Sequence, residues 1–115
     1  MTFQEYQEKA HSTAIYKAEV IDSKILKQML YATLGLVGES GEFANKVKKI
    51  IRDYNGNITL EIVVQLHKEL GDILWYASEL AHLTGASLHY IAESNIVKLE
   101  QRRNEGKLKG EGDLR

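Results

Sequence analysis

The sequence predicts an all-α fold, an antiparallel bundle of about four helices, and three observations carry that expectation. Apolar residues recur at three- and four-residue intervals along most of the chain, no segment alternates with the period of a strand, and proline is absent, so nothing interrupts long helices. A first helix starts near Phe3, where Thr2 and Glu5 have the form of a capping box and Phe3, Tyr6, Ala10, Thr13 and Ala14 share a face. The pattern weakens over residues 16–22, which predicts a bend or short connection. Asp22 or Ser23 caps a second helix running to about Arg52, whose apolar set includes Ile25, Leu26, Met29, Leu30, Leu34, Val37, Phe43, Val47, Ile50 and Ile51. Asn55-Gly56 turns the chain, and Thr59 caps a third helix over about 60–84 whose inward set is Ile62, Val63, Leu66, Leu70, Ile73, Leu74, Ala77, Leu80 and Ala81. Gly85 ends it, Ser87 caps a fourth helix over about 88–104, and Gly106 is the stop. One domain over residues 1–106 follows, with 107–115 a polar, glycine-containing tail that is loose unless a partner or ligand orders it.

Composition narrows the function classes. The chain has 115 residues, 43% hydrophobic and 27% charged, with a net charge of −1. That supports one globular core and gives no electrostatic warrant for binding a nucleic acid polymer or a membrane surface. Without cysteine there are no disulfides, thiolate nucleophiles or thiolate zinc sites. The N-terminus lacks an apolar signal core and no apolar run approaches the roughly 18 residues of a membrane span, so the expectation is a soluble, cytoplasmic protein.

Two acidic pairs stand out: Glu39 with Glu42, and Glu69 with Asp72. Each has a spacing of three, which puts both carboxylates on nearly one helix face. Glu42 with Glu69, and Glu39 with Asp72, are centred on the same point, between Asn55 and Gly56. A hairpin turning there brings all four to one level. Such pairs usually lie on a solvated face, and 16 acidic residues produce some by chance. The shared mirror point, with Leu36, Val37 and Phe43 beside one pair and Leu70, Ile73 and Leu74 beside the other, favours a built site. Four carboxylates that close repel, and oxygen ligands without cysteine or histidine favour a hard cation, magnesium with manganese as a substitute. Gly35, Gly38, Gly41 and Gly71 cost up to about 1 kcal/mol each inside helices and imply close helix approach or room for a ligand.

A fourth helix folded back along the third, mirrored between Gly85 and Ala86, brings Arg102 level with Glu69. Asn95, Lys98 and Arg102 then form a stripe of donors beside the acids. Lys46 and Lys49 follow Glu42 and either reach phosphate oxygens or pair with Glu42. Trp75 and Tyr76 lie one turn beyond Asp72, as core residues or as a surface on which a base stacks; Phe3, Tyr6 and Tyr16 are weaker candidates for the same pocket. His11, His67, His82 and His89 read as scattered. Glu8 with His11 and Glu79 with His82 have the spacing of di-iron bundles, but the same mirror puts Ala32 and Met29 opposite Glu79 and His82, leaving no bridging carboxylate. The competing class is a non-catalytic helical interaction module in which the acids form a patch; it predicts no metal dependence.

Glu39-x-x-Glu42, then Glu69-x-x-Asp72 continuing into Ile73-Leu74-Trp75-Tyr76, then Asn95-x-x-Lys98-Leu99-x-x-Arg102 together resemble the MazG-like, all-α nucleoside triphosphate pyrophosphohydrolases over residues 31–103. The resemblance implies magnesium-dependent cleavage between the α and β phosphates of a nucleoside triphosphate, and a homodimer or homotetramer with sites near subunit interfaces. It assigns Glu39, Glu42, Glu69 and Asp72 as metal ligands, Glu39 or Glu42 as the carboxylate that handles the attacking water, and Asn95, Lys98 and Arg102 as phosphate-binding residues. Larger family members carry two such domains; this chain has room for one.

Overall fold

The computed structural model describes residues 1–15 and 23–106, so the expected connection over 16–22 and the tail over 107–115 lie outside the described residues. Four helices account for nearly all the rest: α1 Phe3–His11, α2 Lys24–Asp53, α3 Leu60–Leu83 and α4 Leu88–Asn104. Each begins on a hydroxyl that accepts a backbone N–H three residues on. Thr2 takes Glu5 at 3.1 Å, Ser23 takes Leu26 at 3.2 Å, Thr59 takes Ile62 at 3.2 Å and Ser87 takes Tyr90 at 3.0 Å. A cap of this kind contributes about 1 kcal/mol. Between α2 and α3 the chain reverses through Asn55 and Gly56, both at positive φ (53° and 78°), a conformation that these residue types tolerate best.

The α2/α3 hairpin is the main packing pair, and α1 lies across α3. α4 touches α1 and α3 but makes no contact with α2. Where α1, α3 and α4 meet, the buried Gln7 acts as a clamp. Its Nε2 donates to the Ser78 carbonyl (3.3 Å) and the Ala86 carbonyl (3.2 Å), and its Oε1 accepts from the Leu88 N–H (3.2 Å). The left-handed Gly85 (φ 79°) lets the chain turn tightly enough to present those groups.

The buried core is small: Ala10, Ala32, Ile50, Ala81 and Leu88. The apolar set of α2 is only partly covered. Leu26, Leu30, Leu34 and Val37 run along one stripe yet are between 46% and 65% exposed, and Ile25 and Ile51 are exposed too. One hairpin partner covers only one side of a helix, and nothing among the described residues covers the other. On α3, Leu70 is likewise exposed. Among the described residues, no helix is long and apolar enough to cross a membrane.

Candidate functional site

The hairpin delivers the acidic level. Glu39 on α2 and Glu69 and Asp72 on α3 place carboxylate oxygens within 4.8 Å of one another, the one such grouping among the described residues. Glu42 stands one turn further along α2, exposed and outside that cluster, but near enough that its charge acts on Glu39. Burial, a hydrogen bond with Glu69 and the charges of Asp72, Glu69 and Glu42, in that order of effect beginning with burial, hold the Glu39 carboxyl above the ordinary carboxylate range. Lys46 answers part of this charge: its Nζ lies 3.7 Å from Glu69 Oε1, so it pairs across the hairpin rather than with Glu42.

Beside the carboxylates is a cavity of about 270 Å³ lined by Glu39, Asp72, Trp75 and Tyr76. The Trp75 indole N–H donates to Thr13 Oγ1 at 2.9 Å, and its ring meets Tyr76 edge-on with centroids 5.0 Å apart. The turn that follows α1, tied back to it where the Thr13 hydroxyl donates to the Ala10 carbonyl at 2.7 Å, therefore holds one wall of the cavity in place. Tyr6 also comes from α1; burial and then the charge of Asp72 push its hydroxyl pKa up. Tyr76 is pushed up by burial, then by Tyr31, Glu39 and Asp72.

The fourth helix packs back on α3, as expected, and on α1. It does not join α2, and none of its described residues lines the cavity. Asn95 is exposed, Lys98 is half-buried and Arg102 is 5% exposed. The hairpin mirror holds for α2 and α3 because a short turn forces their alignment. α4 is drawn to α1 by the Gln7 clamp.

The histidines are less scattered than their spacing indicates. His11 Nδ1 lies 3.0 Å from Oε1 of the fully buried Glu79, and the His11 and His82 rings stack with centroids 3.8 Å apart. Ala32 on α2 is also fully buried. The clue to Gln7 was its place on the apolar face between Phe3 and Ala10; nothing local marks the pairing of His11 with Glu79, 68 residues away.

Fold and site together define an all-α helical protein with a carboxylate cluster set between two antiparallel helices. The chain belongs to the family described as the MazG nucleotide pyrophosphohydrolase domain, whose model matches residues 28–106. It is 44% identical over 110 residues to the gene 37 protein of Mycobacterium phage L5, covering 96% of each chain. That relative's name describes no activity. No solved structure gives a significant match. Members of this family are hydrolases of nucleotide anhydrides that generally use a divalent metal.

Proposed function

We propose that this protein is a magnesium-dependent nucleoside triphosphate pyrophosphohydrolase, cleaving between the α and β phosphates to give a nucleoside monophosphate and pyrophosphate. The observation that carries the proposal is the meeting of Glu39, Glu69 and Asp72 within 4.8 Å beside a cavity walled by Trp75 and Tyr76. An all-oxygen donor set of this charge, partly offset by Lys46, suits magnesium, with manganese as a substitute. Glu39, Glu42, Glu69 and Asp72 would hold it, and bound there it would polarise phosphate oxygens and acidify a water.

The chain's own residues supply the rest. Glu42, one turn out from the cluster, is placed to orient a water and take its proton; Glu39 is the second candidate for that task. Lys46, released from Glu69 once the cluster holds a cation, reaches toward phosphate. Trp75 offers a ring face to the base. Asn95, Lys98 and Arg102 offset charge on the pyrophosphate leaving group, in a site completed where copies of the chain meet. The exposed stripe of Leu26, Leu30, Leu34 and Val37 supports a homodimer or homotetramer, since an apolar face of this kind is stable only when covered.

Incubating a panel of nucleoside triphosphates with protein and magnesium tests the activity. At least one should yield pyrophosphate, and Glu42→Gln should slow that reaction by about 100-fold or more. If no nucleotide is cleaved and Glu42→Gln behaves like the wild type, the chain is a helical interaction module instead; cleavage at an unchanged rate by Glu42→Gln would remove Glu42 from the chemistry.

A further inference from the structure

α2 carries Gly35, Gly38 and Gly41 within two turns, and the surrounding structure accounts for only the first. A Cβ added at Gly38, Gly41 or, on α3, Gly71 meets nothing within 4 Å. At Gly35 it would overlap the Tyr76 ring at Cε1, Cζ and Cδ1, so the ring occupies the space that any other residue would fill.

The positions of these two residues are informative. Gly35 lies one turn before Glu39, and Tyr76 one turn after Asp72. Gly35 and Tyr76 are centred between Asn55 and Gly56, the same point that relates Glu39 to Asp72. They form the next rung of the hairpin. Swinging the ring aside to admit a Cβ would disturb Trp75, which packs edge-on against Tyr76 and is held by Thr13 Oγ1. A line of contacts from Thr13 through Trp75 and Tyr76 to Gly35 thus joins the turn after α1 to α3 and α2 at one level.

We propose that Gly35 and Tyr76 are a positioning pair: the ring seated against the glycine sets the level and separation of α2 and α3, and so holds Glu39 opposite Asp72 at metal-binding distance. The metal-binding half of this statement rests on the function proposed above. Neither residue is assigned a ligand role.

Because the chain has no cysteine, Lys48→Cys with Lys68→Cys introduces two unique spin-label sites, both exposed, on α2 and α3. Gly35→Ala in this background should shift or broaden the label distance while helical circular dichroism is retained. It should also raise the magnesium concentration giving half the maximal thermal shift by about tenfold, as when a ligand's supporting contact is lost. Adding Tyr76→Leu to Gly35→Ala should return both readouts toward wild type, and Gly38→Ala should change neither. A Gly35→Ala protein with wild-type distance and magnesium response overturns the proposal, as does failure of Tyr76→Leu to restore either readout. Should Gly35→Ala not fold, Tyr76→Leu alone decides, since a distance as narrow and centred as in wild type would exclude the pairing. If wild-type protein gives no magnesium response, the metal function fails while the label distances still judge the register.

Discussion

Glu39 shows what the cluster costs in the absence of a cation. Its carboxyl is held above the ordinary 4.5 by burial and by neighbouring carboxylates. A raised folded-state pKa means that the folded form holds the proton more tightly than the unfolded form. The associated stability is present below pH 4.5 and is lost as pH rises through the raised value. Metal-free protein should therefore lose stability over that window, and Glu39→Gln should flatten the loss, melt higher than wild type at neutral pH, and no longer respond to magnesium. Melts across pH, with chelator and with magnesium, check this; a Glu39→Gln variant that melts lower than wild type in chelator at pH 7 contradicts it. Trp75 makes a different expectation. With its N–H committed to Thr13 it offers a face rather than a donor, so Trp75→Leu should raise KM for every accepted nucleotide by about tenfold with a smaller change in kcat, read from steady-state kinetics.

At the scale of the helices, two features decide how the elements associate. Gln7 satisfies two carbonyls and one N–H where α1, α3 and α4 meet. Gln7→Leu keeps the volume but strands those groups, at a cost of about 1–3 kcal/mol for an unsatisfied buried group. Urea denaturation should show that loss, and a change below about 0.5 kcal/mol would mean water replaces the clamp. The other feature is the α2 stripe. If copies associate through it, Leu30→Asp or Leu34→Asp should convert the assembly to monomer in sedimentation velocity and make the melting midpoint independent of protein concentration. An unchanged sedimentation coefficient would place the interface elsewhere.

For the whole molecule, a cation held by these carboxylates would be linked to folding. The carboxylates come from two helices, so only the folded hairpin assembles them, and a ligand bound at 100 times its Kd stabilises the fold by about 2.7 kcal/mol. Calorimetry in magnesium should show an upward shift that saturates, and Asp72→Asn should reduce it. The N-terminal segment takes part because the turn after α1 holds Trp75 through Thr13 and α1 brings Tyr6 within reach of the Asp72 charge, so its contacts with α3 serve the site as well as the fold.

Sequence alone determined what depends on near neighbours. Hydroxyl caps at Thr2, Ser23, Thr59 and Ser87 and stops at Gly56, Gly85 and Gly106 are local signals, and the helix bounds follow them closely because a helix begins and ends on its own backbone groups. The meeting of Glu39 with Glu69 and Asp72 was readable for a related reason: a tight turn makes register a matter of counting. Tertiary structure decided what depends on competition among surfaces. α4 packs on both α1 and α3 without lining the cavity beside the acids, Glu79 is buried against His11, and most of the α2 apolar set is exposed among the described residues. Periodicity reveals that a face is apolar but carries no information on which surface covers it, because that choice is made by contacts between residues far apart in the chain.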